Sequence, residues 1–336
     1  MQVMITGGTG FVGYHTALAL MAAGHTVSLL VRNVDKMTKL YGDDIRVSYT
    51  QGDITDPEKV AACLRGCDAV VHAAAMVSTD ASDAEEVFTT NVEGAKTVIG
   101  SALNLGIAPI IHVSSVTALF NPDAKILDEN SPPGAAKNAY GRSKVACEEY
   151  VRERQAEGEH IYITYPASVI GPDAPGLTEP HIGMQTFLTA FVPLMSGGNQ
   201  YVDVRDLAEV HLRLLEQQPE PGNYTLGGHY LSWPELAKTL EKITDRSLLK
   251  VPVLAGFMRM AGRVFDKVSP YLPTEVPMSE EAMEYATKWV KMDNGKVERV
   301  LDFKLRSVED SMADTIRWLY RNGHVSEKHA GVLSKS

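Results

Sequence analysis

MQVMITGGTGFVG, residues 1–13, sets a short apolar run against four glycines within seven positions. Val3, Met4 and Ile5 are too few for a helix, and an apolar run of that length bounded by glycine suits a strand buried on both faces. Gly7, Gly8, Gly10 and Gly13 follow, and Phe11 to Ala23 then reads as a helix ending at Gly24. Strand, glycine turn and helix N-terminus form a setting in which backbone N–H groups and the helix dipole hold a pyrophosphate. Glycine patterns alone are common, so the remaining chain must supply the rest of such a site.

The first half alternates. Apolar runs recur at 26–31, 45–50, 68–73, 108–114 and 161–166, separated by helix-length segments at 57–64, 84–105 and 138–157. Asp56 followed by Pro57 is a helix start, an N-cap before a proline at the first helical position. This rhythm predicts an α/β fold, a Rossmann-type doubly wound parallel sheet. From Pro166 the pattern breaks: prolines and glycines crowd 171–183, and a helix-like stretch follows around Gln185–Met195. Tyr201 to Leu215 reads as a strand and helix returning to the sheet, and Ser232 with Glu235 as a capping box. The expected organisation is a dinucleotide-binding domain over 1–165 plus about 197–222, and a smaller interleaved substrate domain over about 166–196 and 223–325. Residues 326–336 read as a loose tail.

Composition excludes several classes. A net charge of −10 over 336 residues argues against a protein that neutralises nucleic-acid phosphates. No apolar run approaches the roughly 18 residues of a membrane span, and no secretory signal pattern opens the chain. Cys63, Cys67 and Cys147 fit free thiols in a reducing compartment, and the ten histidines lack metal-ligand spacing, so no metal is expected. The expectation is a cytoplasmic protein with a small-molecule substrate, as a monomer or homodimer.

The residues that carry chemistry lie between 114 and 144. Ser114 and Ser115 end an apolar strand, and Tyr140 and Lys144, four apart, share one face of a predicted helix. A tyrosine with a free pKa of about 10 is a poor acid-base catalyst at neutral pH. An adjacent lysine ammonium stabilises the phenolate and brings it toward the working range. A serine hydroxyl can hold a substrate oxygen against the phenol.

With these residues in place the chain resembles the extended short-chain dehydrogenase/reductases, the NAD-dependent epimerase/dehydratase family. The landmarks are TGGTGFVG (6–13), GDITD (52–56), HAAA (72–75), NVEG (91–94), VSSV (113–116), DENSP (128–132), YGRSK (140–144), PASVIGP (166–172) and YVDVRDLAEVHL (201–212). Within the family it looks most like the dihydroflavonol-4-reductase-like branch. The resemblance implies that Gly7, Thr9, Gly10, Phe11, Val12 and Gly13 form the pyrophosphate turn. Asp53 and Ile54 would border the adenine. Ala73, Ala74, Ala75, Asn91, Ser114, Pro166, Ala167 and Ser168 would line the rest of the cofactor. Tyr140 would be the acid/base, Lys144 would also hold the nicotinamide ribose, and Ser115 would position the carbonyl. One departure is Tyr165, where much of the family has arginine before the proline.

NAD-specific relatives carry an acid at the end of the second strand to bond the ribose 2′-hydroxyl. Here that strand ends in Arg32, which can pair with a 2′-phosphate, so NADP(H) is expected, with NAD(H) as the alternative. His181, Met184, Phe187, Phe191 and Met195 are expected to wall a bulky hydrophobic substrate. The stretch at 251–265, with Arg259 and Arg263 four apart, reads as a helix packed on the second domain, or else as an amphipathic helix lying on a membrane surface or lining a substrate mouth. The expected activity is ketone or aldehyde reduction with its reverse; the alternative is a nucleotide-sugar epimerase or dehydratase.

Overall fold

The computed structural model describes residues 1–77, 83–136, 138–268 and 280–335. The elements run β1 (Gln2–Thr6), α1 (Phe11–Ala22), β2 (Thr26–Val31), α2 (Val34–Tyr41), β3 (Val47–Gln51), α3 (Pro57–Leu64), β4 (Ala69–His72), α4 (Ala84–Asn104), β5 (Ile110–Val113), α5 (Ala139–Ala156) and β6 (Ile161–Pro166). Then follow β7 (Ser168–Ile170), α6 (Glu179–Thr189), β8 (Val192–Leu194), β9 (Gly198–Asp203), α7 (Val204–Gln217), β10 (Gly222–Leu226), β11 (His229–Ser232) and α8 (Trp233–Thr244). The chain finishes with β12 (Lys250–Pro252), α9 (Ala255–Val268), α10 (Glu280–Thr287), α11 (Gly295–Val300), α12 (Val308–Arg321) and α13 (Glu327–Ala330).

The main sheet has the order β10-β6-β5-β4-β1-β2-β3, and every pairing in it is parallel. A parallel sheet needs both faces covered, and β4, β5 and β6 are accordingly buried at every position rather than at alternate ones. Val3, Ile5, Val71, Ile111 and Val113 pack with α1 and α7 on one face. Met4, Val70, Ile110, Ile161 and Ile163 pack with α3, α4 and α5 on the other. The sequence-level starts are realised locally. Asp56 accepts from the N–H groups of Glu58 and Lys59 ahead of Pro57, and Ser232 with Glu235 closes the capping box of α8.

Four expectations are corrected. The helix near 185–195 begins earlier, at Glu179, and gives way to strand β8, because Pro193 cannot donate inside a helix. Strand β9 does not return to the main sheet but joins a three-stranded sheet between β7 and β11, while α7 packs against α1. Residues 222–226, assigned in part to the substrate domain, form the strand that extends the main sheet beyond β6. The expected loose tail is docked: Ala330 and Leu333 are buried in a separate apolar core with Leu240, Met312 and Leu319. Helix α9 packs against α10 with Phe257, Met260 and Val264 exposed, while Arg263 pairs with Glu280 and Arg259 donates to Thr287.

Candidate active site

The glycine turn sits at the carboxyl end of β1. Gly7 has φ +71°, and a Cβ there would lie 2.7 Å from the Ala74 nitrogen, so the turn needs glycine both for its dihedral and for its contact with the 73–75 loop. A Cβ on Gly13 would run into the Gly7 carbonyl, which lets α1 start hard against the turn. Gly10 caps α1 without any side-chain hydrogen bond, leaving that helix end to an anion. These glycines form a cradle that side chains would fill, and they fit a dinucleotide pyrophosphate. Tyr41, which the sequence reading missed, braces the turn by donating to the Gly8 carbonyl at 2.6 Å. The Phe11 ring stands edge-on to His15 and His181. Thr9 and Val12 are half-buried at the turn.

Just beyond β4, Ala73, Ala74 and Ala75 lie half-buried in a segment without regular structure. Buried Asn91 pins the next residue. Its Oδ1 accepts from the Met76 N–H at 2.7 Å, and its Nδ2 donates to the Met76 carbonyl and to Ser143. The side chain expected to face the cofactor therefore ties the loop after β4 to α5. Ile54 packs over Gly94. Arg32 lies beyond β2 with its side chain 73% exposed and its guanidinium 4.0 Å from the Asp53 carboxylate.

Lys144, on α5, is buried and donates from Nζ to the Val113 carbonyl at 3.2 Å. That bond docks α5 against the end of β5, two residues before Ser115. The Tyr140 ring is half-buried, its centroid 5.8 Å from Nζ. Ser115 caps a short 3-10 turn: its Oγ accepts from the Thr117 N–H and donates to the Thr117 hydroxyl at 3.0 Å. Thr117 was not foreseen, although Ser-Val-Thr is the spacing of such a turn.

Other candidates are placed differently. Ser114, expected at the cofactor, is buried and donates to Glu148 at 3.0 Å, and Ser168 donates to Asn199. Pro166 ends β6, and Ala167 donates its N–H to the Leu226 carbonyl. The expected substrate wall does not form as a unit. His181 is fully buried, with Nδ1 held by Thr178 and Nε2 donating to the Gly171 carbonyl, and burial lowers its pKa. Met184 is core, Phe187 packs on Trp233, and Phe191 is exposed.

Beneath Lys144 the sheet carries two histidines in register, His72 and His112, stacked 5.5 Å apart. Burial first, and then Lys144, lowers the His72 pKa to about 3, and burial lowers that of His112 well below the usual histidine range. Both rings are therefore neutral near neutral pH. No cluster of three metal-ligating side chains occurs among the described residues, and none of their helices is long and apolar enough to cross a membrane.

The profile of the NAD dependent epimerase/dehydratase family matches residues 3–227. The chain belongs to that family. Like its relatives it is an NAD(P)-dependent enzyme of the extended short-chain dehydrogenase/reductase type. It is 28% identical to a putative dihydroflavonol 4-reductase of Synechocystis, over 96% of this chain and 95% of that protein. It is 24% identical to sterol demethylase protein B of Methylococcus capsulatus, over 97% of this chain and 100% of that protein. A UDP-glucose-4-epimerase structure from Stenotrophomonas maltophila, with bound NAD and a formylated UDP-arabinopyranose, shares the fold. Its TM-score is 0.76 at 21% identity, covering 97% of this chain and all of that one.

Proposed function

We propose that this family member is an NADP(H)-dependent oxidoreductase that interconverts a ketone or aldehyde and an alcohol on a bulky hydrophobic substrate. The observation that carries the reading is the docking of the Tyr140–Lys144 helix onto the strand end that presents Ser115, in the same sheet as the glycine turn and separated from it by β4. The bound cofactor supplies the hydride. Tyr140 hands its hydroxyl proton to the carbonyl oxygen, and Ser115 holds that oxygen by a hydrogen bond once its hydroxyl turns from Thr117. Lys144, tethered to the Val113 carbonyl with its Nζ 5.8 Å from the Tyr140 ring, would hold the nicotinamide ribose and support the phenol electrostatically. Arg32, exposed just beyond β2, would hold a 2′-phosphate, its pairing with Asp53 at 4.0 Å being weak enough to yield to one. The substrate class is supported by the names of the reductase and sterol-processing relatives rather than by a wall of side chains.

The test starts with the nucleotide released when freshly purified protein is denatured. An empty site that NADP stabilises against heat more than NAD does, followed by turnover of hydrophobic ketones with NADPH, is the expected result. At a ligand concentration 100 times Kd the stabilisation is about 2.7 kcal/mol. Stoichiometric retained NAD would instead favour the epimerase or dehydratase reading, in which the cofactor is reduced and reoxidised within one turnover.

A further inference from the structure

Glu148 lies one helical turn beyond Lys144 on α5, and Arg152 one turn beyond that, so the three form a single stripe along the helix. The stripe runs across the ends of two strands. Lys144 donates to the Val113 carbonyl at 3.2 Å, and the Glu148 carboxylate accepts from Ser114 Oγ at 3.0 Å. Arg152 donates from Nε to Glu148 at 2.5 Å and from its terminal nitrogen to the Tyr165 hydroxyl at 3.0 Å. Tyr165 in turn donates its hydroxyl hydrogen to Glu148. The carboxylate is fully buried, as is the Tyr165 ring. Burial and the Glu148 charge hold the Tyr165 phenol well above its usual range, so it stays a donor. A buried carboxylate is tolerated only when charge and hydrogen bonds are both answered, and here three side chains from three elements answer it.

The residues it holds are the direct neighbours of the proposed machinery. Ser114 precedes Ser115, Tyr165 precedes Pro166, and α5 itself carries Tyr140 and Lys144. We propose that Glu148 is the positioning residue of this site, fixing the ends of β5 and β6 against the helix that bears the tyrosine and lysine, with Tyr165 and Arg152 as its paired clamps. Hydride and proton transfer depend steeply on geometry, and an error of about 1 Å can cost on the order of a hundredfold in rate. The network can therefore govern turnover without touching substrate or cofactor.

This rests on the proposed roles of Ser115, Tyr140 and Lys144, and the test separates the two. Tyr165→Phe keeps the ring and removes only the hydroxyl; Glu148→Gln keeps the shape and removes the charge. Each variant is measured as the full chain for NADPH affinity by fluorescence, for kcat on the carbonyl compound the wild type reduces, and for amide hydrogen exchange with NADPH bound. Tyr165→Phe is expected to lower kcat about tenfold, with Glu148→Gln lower still. NADPH affinity should stay within about twofold, and exchange should quicken at 113–118, across the network from the altered ring. Unchanged kcat together with quickened exchange confined to 163–166, even if the melting temperature falls, would overturn the proposal and leave the network as packing. If the wild type reduces no carbonyl, the reductase reading fails by itself, and exchange at 113–118 then decides whether Glu148 holds the strand end.

Discussion

His211 sits fully buried on α7, its Nδ1 at 2.9 Å from the Thr16 hydroxyl and its Nε2 at 3.1 Å from that of Thr164. Burial alone lowers its pKa from 6.5 to about 3. The neutral ring is thus the native form, and the unfolded chain binds a proton that the folded one refuses. A depressed pKa gives stability that is full above about pH 6.5 and drains away as pH falls toward 3. Between pH 7 and pH 5 the unfolded ring gains about three-quarters of a proton, and linkage gives a loss of about 2 kcal/mol for this one residue. The figure changes little for any folded pKa below about 4, because the native ring is then still neutral at pH 5. His211→Gln keeps hydrogen-bonding groups for both threonines and removes the titration. Urea unfolding of both proteins at pH 7 and pH 5 isolates the effect, since His72, His112 and the carboxylates titrate alike in each. The variant starts less stable at pH 7 but should lose about 2 kcal/mol less on acidification. Equal losses in the two proteins would refute the argument that burial sets the charge state of this ring.

Gly13→Ala drives a methyl into the Gly7 carbonyl, so it should weaken binding of NADP and NAD alike by at least about tenfold, read by calorimetry. Unchanged affinity would mean that α1 can back away from the turn. Arg32→Asp should weaken NADP by about tenfold while leaving NAD nearly unchanged, since the side chain is exposed and bears no structural load. Equal effects on both cofactors, measured side by side, would show that Arg32 does not read the 2′-phosphate.

What could be read in advance was what local spacing encodes. The glycine turn, the Asp56-Pro57 helix start, the Ser232–Glu235 capping box and the four-residue interval of Tyr140 and Lys144 all follow from contacts within one turn or one loop. The alternation of apolar runs and helices was enough for the main sheet as far as β6. It failed at β9, because a strand's partner is chosen by the three-dimensional path and not by its own residues. The sequence does not separate a substrate wall from a core at His181 and Met184, because helical spacing looks the same whether a face lines a cavity or is buried. The Ser114–Glu148–Tyr165 network was invisible for a related reason: its members lie 34 and 17 residues apart and meet only when β5, β6 and α5 are assembled. Glu148, read alone, is one more acid on a polar helix.

The central claim is that Tyr140 moves the proton, and Tyr140→Phe tests it most directly, since the change deletes one hydroxyl from a half-buried ring and leaves Lys144 bound to Val113. Single-turnover reduction of a ketone that the wild type accepts, followed by loss of NADPH absorbance, should slow by at least about a thousandfold, with NADPH affinity within about twofold. Turnover at a rate close to the wild type, with the cofactor equally well bound, would contradict the account.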